Sequence, residues 1–327
     1  MVPGDVSTVD HAESLGSVPT FFALDAYAVV QGARRGASVQ LDESYFDGQR
    51  AVLEALDSST DVGPRVETLR QSRRMLGELG FQLDSLCRRD LLAASDRLLD
   101  GLRTLPELTF LRRHVPGTCF VVPDWSRTGS QVRYGARVYV FGDGDAPDPE
   151  DVVRENVEAV VEEDPGRFDR YRGVLHGYPE CCVEHYRDRH ADDPSPERRS
   201  MRHYEDLVDD DIVAERRDPG TSVEDIVPAL FDADDAFAFF SREFFPEPDC
   251  EDARRVGGAV YDVLVDAYPE SLVRDHFRLN LGFSYLMSRA AVTGATTRPP
   301  PGLLGREHRY SYLPSNVVAS LYRSGRV

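Results

Sequence analysis

The chain contains no lysine. All 38 of its basic residues are arginine, set against 57 Asp and Glu, for a formal net charge of −19 over 327 residues. Without lysine there is no Schiff-base chemistry and no pyridoxal-phosphate linkage. There is also no P-loop lysine to reach the β- and γ-phosphates of a nucleotide. Acid-rich chains in which arginine replaces lysine resemble proteins adapted to molar salt, where an acidic surface keeps a protein hydrated. On that reading the charge carries little information about partners.

Cysteine is scarce. Five residues, Cys87, Cys119, Cys181, Cys182 and Cys250, are too few and too scattered for a secreted disulfide framework. Long apolar runs are missing too, and none approaches the roughly 20 residues that span a bilayer. The opening Met1-Val-Pro-Gly-Asp has no basic stretch followed by an apolar one, so no signal peptide is expected. These absences predict a soluble, cytoplasmic protein. There is no Gly-x-Ser-x-Gly elbow and no His-Glu-x-x-His helix. Gly142-Asp-Gly144-Asp-Ala lacks the third glycine of a phosphate loop and reads as a solvated acidic turn.

Periodicity places the elements that remain. Residues 1–17 are polar and read as a loose N-terminus, and Pro19 opens an apolar-periodic helix through Val30. Helical spacing continues over 42–56, 66–79 and 83–102, with Cys87 on the apolar side of the last. Thr118–Val122 is a β-rich run whose pattern predicts a buried Cys119. Val132–Phe141 alternates with period two, with Arg133 and Arg137 at the polar places, predicting a β-hairpin or small antiparallel sheet with Gly129 in the turn. From Pro149 helical spacing returns to about Ala290, broken at 187–222 by a Pro- and acid-rich stretch around a helix near 198–208. The fold class expected is α+β, helix-dominated, with a small antiparallel sheet in the middle. One compact domain is expected over 18–290: helical over 18–113, β over 114–145, and helical with the paired cysteines over 146–290.

The most informative segment is His176-Gly-Tyr-Pro179-Glu-Cys181-Cys182-Val-Glu-His185. Pro179 suits the first position of a helix, and Glu180 suits its positive end. His185 follows Cys181 by four and Cys182 by three, so all three share a face. Thiols at a helix N-terminus ionise more easily, and the thiolate attacks electrophiles or binds metal. Pro246-Glu-Pro-Asp-Cys250 reads as a second helix start carrying a cysteine, predicted to bring its sulfur within about 8 Å of the first pair, close enough for shared soft-metal coordination. The candidate metal set is therefore Cys181, Cys182, His185 and Cys250, with His176 as a ligand, an acid–base group or a loop residue. The cofactor expected is zinc or an iron–sulfur unit. Adjacent helical residues project about 100° apart, which favours a cluster, or one ligand plus one free thiol, over a single ion held by both. Catalysis stays open. If there is any, Cys181 or Cys182 is the nucleophile and His185 the general base for thiol or redox chemistry. Structural packing of the cysteines is the remaining alternative. His190, His203 and His276 read as ordinary surface or packed histidines.

Gly177-Tyr178-Pro179-Glu180-Cys181-Cys182 resembles the Gly-Tyr-Pro-x-Cys-Cys signature of domain of unknown function 483, an uncharacterised and mainly archaeal family. The resemblance is sharp over about a dozen residues and extends in general layout from about 20 to 290. It implies a cytoplasmic protein and supplies no activity. It also implies a second cysteine patch near Cys250 with a further cysteine slightly earlier, where this chain has Pro246-Glu247-Pro248. That departure puts a four-thiolate site in doubt.

The segment 291–327 begins Pro-rich and is locally basic. Arg298, Arg306, Arg309, Arg323 and Arg326 interleave there with Tyr310, Tyr312 and Tyr322. Arginine with aromatics can grip single-stranded nucleic acid. The competing function is thus a nucleic-acid or protein-binding module with structural cysteines, its contact made by residues 298–327. The plainer reading folds this tail back on the acidic body.

Overall fold

The computed structural model describes residues 18–41, 87–103, 108, 111–113, 115–128, 131–187, 204, 234–242, 244–247, 249–293 and 312–313. The helices expected over 42–56, 66–79 and 198–208 lie outside these residues, apart from Tyr204, as do Gly129, His190, His203 and the arginines of the tail. The described residues are helix-dominated α+β with a three-stranded antiparallel sheet. They fall into two compact units, the first up to Leu175 together with the strand at 312–313, the second from His176 onward.

In the first unit, β1 (Val18–Pro19) pairs antiparallel with β5 (Tyr312–Leu313). Helix α1 (Thr20–Val30) is apolar on every side, and Phe22, Leu24, Ala26, Tyr27 and Ala28 are all buried, as an all-round apolar helix must be. Its one acid, Asp25, is buried with Arg34 at 3.2 Å. The sheet runs β2 (Gly36–Leu41), β4 (Gln131–Phe141), β3 (Thr118–Thr128) in spatial order. The hairpin is the predicted one, and Cys119 is buried in it. Strand β2 is an addition. Its Ala37, Val39 and Leu41 alternate, but six residues just after a helix gave too short a pattern to separate from its surroundings.

Helix α2 (Arg88–Leu102) buries Leu91, Ala94, Ser95, Leu98 and Leu102, one stripe at helical spacing. Cys87 is its N-cap and half-buried rather than a member of that stripe. Helix α3 (Pro149–Glu162) starts where Asp148 accepts a hydrogen bond from the Glu150 N–H, with Pro149 at its first position. Asp148 therefore belongs to a helix cap, and the acidic turn before it turns at Gly144, where φ is +85°. Asn156 of α3 exchanges two hydrogen bonds of 2.9 Å with the Trp125 backbone, standing in for a neighbouring strand. The Trp125 indole N–H donates to Ser95 Oγ on α2 at 2.9 Å. Thus the only tryptophan fastens two helices to β3 with each polar group satisfied. Arg137 is buried, unlike the polar place its alternation suggested, because Asp124 across the hairpin pairs with it at 2.9 Å. Helix α4 (Pro165–His176) leads to the end of this unit.

Among the described residues, the second unit contains α5 (Glu180–Arg187), a 3₁₀ turn (Asp234–Ala238), α6 (Glu251–Ala267) and α7 (Glu270–Thr293). Gly257 of α6 lies directly on the Phe237 carbonyl, an approach no side chain would allow. Phe237, Tyr261 and Phe277 form a ring cluster with centroids 5.2 to 6.1 Å apart. The buried residues His276, Asn280 and Ser284 repeat every four places along α7. Asn280 Nδ2 donates to the Phe239 carbonyl at 3.2 Å and Ser284 Oγ to that of Phe244 at 3.4 Å. Those bonds satisfy two carbonyls of an irregular segment between the 3₁₀ turn and α6. No helix among the described residues is long and apolar enough to cross a membrane.

Candidate metal centre

The Gly-Tyr-Pro turn is an anchor for α5. Gly177 takes a left-handed φ of +72° after the last residue of α4, a conformation glycine adopts freely. The Tyr178 ring packs on Phe244 at 4.4 Å and Phe240 at 6.0 Å, with His176 edge-on at 5.2 Å. The Tyr178 and Ser241 hydroxyls meet at 3.1 Å. The chain then enters α5 with the Pro179 carbonyl accepting from the Val183 N–H, so Pro179 caps the helix one place earlier than its spacing suggested. Cys181 and Cys182 occupy the first turn.

The segment carrying Phe239, Phe240 and Phe244 runs on to Cys250. Asp249 adopts a φ of +59°, and Cys250 becomes the N-cap of α6, its sulfur accepting from the Ala253 N–H at 3.4 Å. Two helix N-termini therefore converge. Cys181 Sγ lies 3.2 Å from Cys250 Sγ and 4.0 Å from Cys182 Sγ, and all three sulfurs fall within 4.8 Å of one another. Cys250 is well inside the 8 Å predicted. The 100° between adjacent helical positions describes Cβ directions. One χ1 rotation at each cysteine brings the sulfurs of Cys181 and Cys182 together regardless.

The three cysteines are close enough to bind a metal ion. His185 and His176 are not members of that group. His185 is half-buried one turn further along α5, and His176 is buried against Tyr178. Cys181 is the most exposed residue of the three, its sulfur partly covered by the other two, whereas Cys182 and Cys250 are buried. A backbone group that sequence spacing gave no sign of completes the surroundings: the Glu247 N–H donates to Cys182 Sγ at 3.3 Å. The one trace in the sequence is the dense aromatic run Phe239-Phe-Ser-Arg-Glu-Phe-Phe-Pro246, which marks a packed segment leading to Cys250.

Without an ion the Cys181 and Cys182 thiols resist ionisation, the reverse of the expectation from their helix position. Burial, followed by the adjacent Cys250 thiol, pushes Cys181 up to about 11. Burial raises Cys182 further, against the opposing Glu247 N–H. Desolvation and the crowding of like groups outweigh the helix N-terminus. A cation between the sulfurs reverses that balance, because a coordinating thiol is deprotonated outright. No family model matches the chain, and neither does any curated protein or solved structure.

Proposed function

We propose that this protein binds a single zinc ion through the thiolates of Cys181, Cys182 and Cys250. The spacing of the sulfurs carries the reading. Around one tetrahedral zinc with bonds of about 2.3 Å, sulfurs lie about 3.8 Å apart. The separations of 3.2 and 4.0 Å bracket that value. A [4Fe–4S] cluster gives each cysteine its own iron, which sets the sulfurs further apart by a metal–metal spacing, so the geometry favours one ion over such a cluster. The N–H groups of Glu247 and Ala253 supply outer hydrogen bonds that disperse charge on bound thiolates.

Elemental analysis of anaerobically purified protein tests the proposal. One zinc per chain is expected, replaceable by cobalt with an intense thiolate-to-cobalt charge-transfer band. Recovery of several irons with matching inorganic sulfide, or three freely titrating thiols with no metal, would sink it.

A further inference from the structure

Resting on the zinc reading, we infer that the centre is a redox modification site, at which Cys181 reacts with a peroxide and Cys250 closes a disulfide that expels the ion. Three observations select these residues. Cys181 alone of the three is exposed, so an oxidant in solution reaches it first. Cys250 Sγ is its nearest sulfur, at 3.2 Å against 4.0 Å for Cys182. The adjacent pair is disfavoured by covalent geometry as well. Neighbouring Cα atoms sit about 3.8 Å apart, below the roughly 4.4–6.8 Å that disulfides span, so joining Cys181 to Cys182 would break the first turn of α5.

The steps balance with hydrogen peroxide as the only oxidant. The Cys181 thiolate attacks one peroxide oxygen, the O–O bond breaks and hydroxide leaves, giving a sulfenic acid. The Cys250 thiolate then attacks the Cys181 sulfur, forming the S–S bond as the S–O bond breaks and a second hydroxide departs. Two thiolates have lost two electrons to the peroxide, and the two hydroxides take up two protons as water. Only Cys182 remains as a thiolate, and one sulfur does not hold the ion. The new bond ties the start of α5 to the start of α6, across 69 positions of the chain.

The experiment treats the zinc-loaded full chain with hydrogen peroxide beside a chromogenic zinc chelator, then maps non-reduced peptides by mass spectrometry. Zinc release in step with a Cys181–Cys250 link is expected, with Cys182 still open to alkylation and the ion taken up again after reduction. In Cys250→Ser, whose hydroxyl can still cap α6, a dimedone adduct should accumulate on Cys181 at least 10-fold above wild type. Release accompanied by a Cys181–Cys182 link, a link between chains, or no disulfide overturns the assignment. A chain that never takes up zinc yet forms the Cys181–Cys250 disulfide refutes the metal reading and upholds the pairing.

Discussion

Glu247 donates its backbone N–H to the sulfur of Cys182 across 3.3 Å, although 65 positions separate the two residues. The bond uses no property of the glutamate side chain. Glu247→Ala should therefore leave zinc affinity unchanged, whereas Glu247→Pro, which removes the donor, should weaken it about 10–100-fold, the usual effect of losing an outer-shell partner. Competition with a calibrated chelator measures both, with circular dichroism confirming equal helix content. Equal affinity in the proline variant would show that the hydrogen bond does not tune the site.

The buried pair Asp124–Arg137 makes a second prediction. Their side chains are 10% and 3% exposed, and Arg137 also reaches Ser38 Oγ at 3.2 Å and Gln40 Oε1 at 3.4 Å. Asp124→Ala strands a buried guanidinium and should cost about 3–5 kcal/mol in urea unfolding. Replacing both partners by apolar residues, Asp124→Leu with Arg137→Met, should cost much less, because no uncompensated charge remains. A double variant as unstable as the single one would mean that the pair contributes through geometry that leucine and methionine cannot supply.

What the sequence revealed follows how local each cause is. The hairpin of β3 and β4 and the start of α5 were legible because period-two alternation, Gly177 and Pro179 act within a few residues. Cys250 was legible as a partner because its own helix start repeats the pattern of the first. Strand β2 was not, and neither was the burial of Arg137: both depend on a neighbouring strand supplying hydrogen bonds or a counter-charge. The support given to the Phe239–Phe244 backbone by Asn280 and Ser284 was equally hidden. On α7 those residues look like ordinary polar places, and only the irregular segment lying against them gives them a role. The easy ionisation that a helix N-terminus predicts for Cys181 and Cys182 has the opposite sign in the fold for the same reason. The helix N-terminus is local, but the desolvation and the third sulfur come from elsewhere in the fold.

Cys119 supplies the pH dependence. Burial holds its thiol up to about 12, with Arg112 opposing, whereas in an unfolded chain a thiol ionises near about 8.5. The folded state thus binds a proton that the unfolded state gives up first. The contribution to stability is whole below about pH 8.5 and is lost as pH rises through the interval up to about 12, at a limiting slope of about 1.4 kcal/mol per pH unit. Urea unfolding of wild type and Cys119→Ala at pH 8, 9.5 and 10.5 should show the gap between them shrinking as pH rises, since only wild type carries this term. A constant gap would mean that Cys119 ionises alike in both states.

Two adjacent glycines on α6 give opposite expectations for the same substitution. Alanine has the higher helix propensity, by about 0.8–1.0 kcal/mol, and at Gly258 an added Cβ would meet nothing within 4 Å. Gly258→Ala should therefore raise stability by about that amount. At Gly257 the same methyl group would run into the carbonyl of Phe237, a backbone atom that no side-chain rotation can move aside. Relief requires α6 and the 3₁₀ turn to separate, which disturbs the Phe237, Tyr261 and Phe277 rings packed around the contact. Gly257→Ala should thus lose about 1–3 kcal/mol in spite of its propensity gain. Because α6 begins at Cys250, the displacement should also weaken zinc binding, which Gly258→Ala should leave intact. Chelator competition on the two variants separates these outcomes, and a stable Gly257→Ala protein with wild-type affinity would show that the helix is not seated against the Phe237 carbonyl.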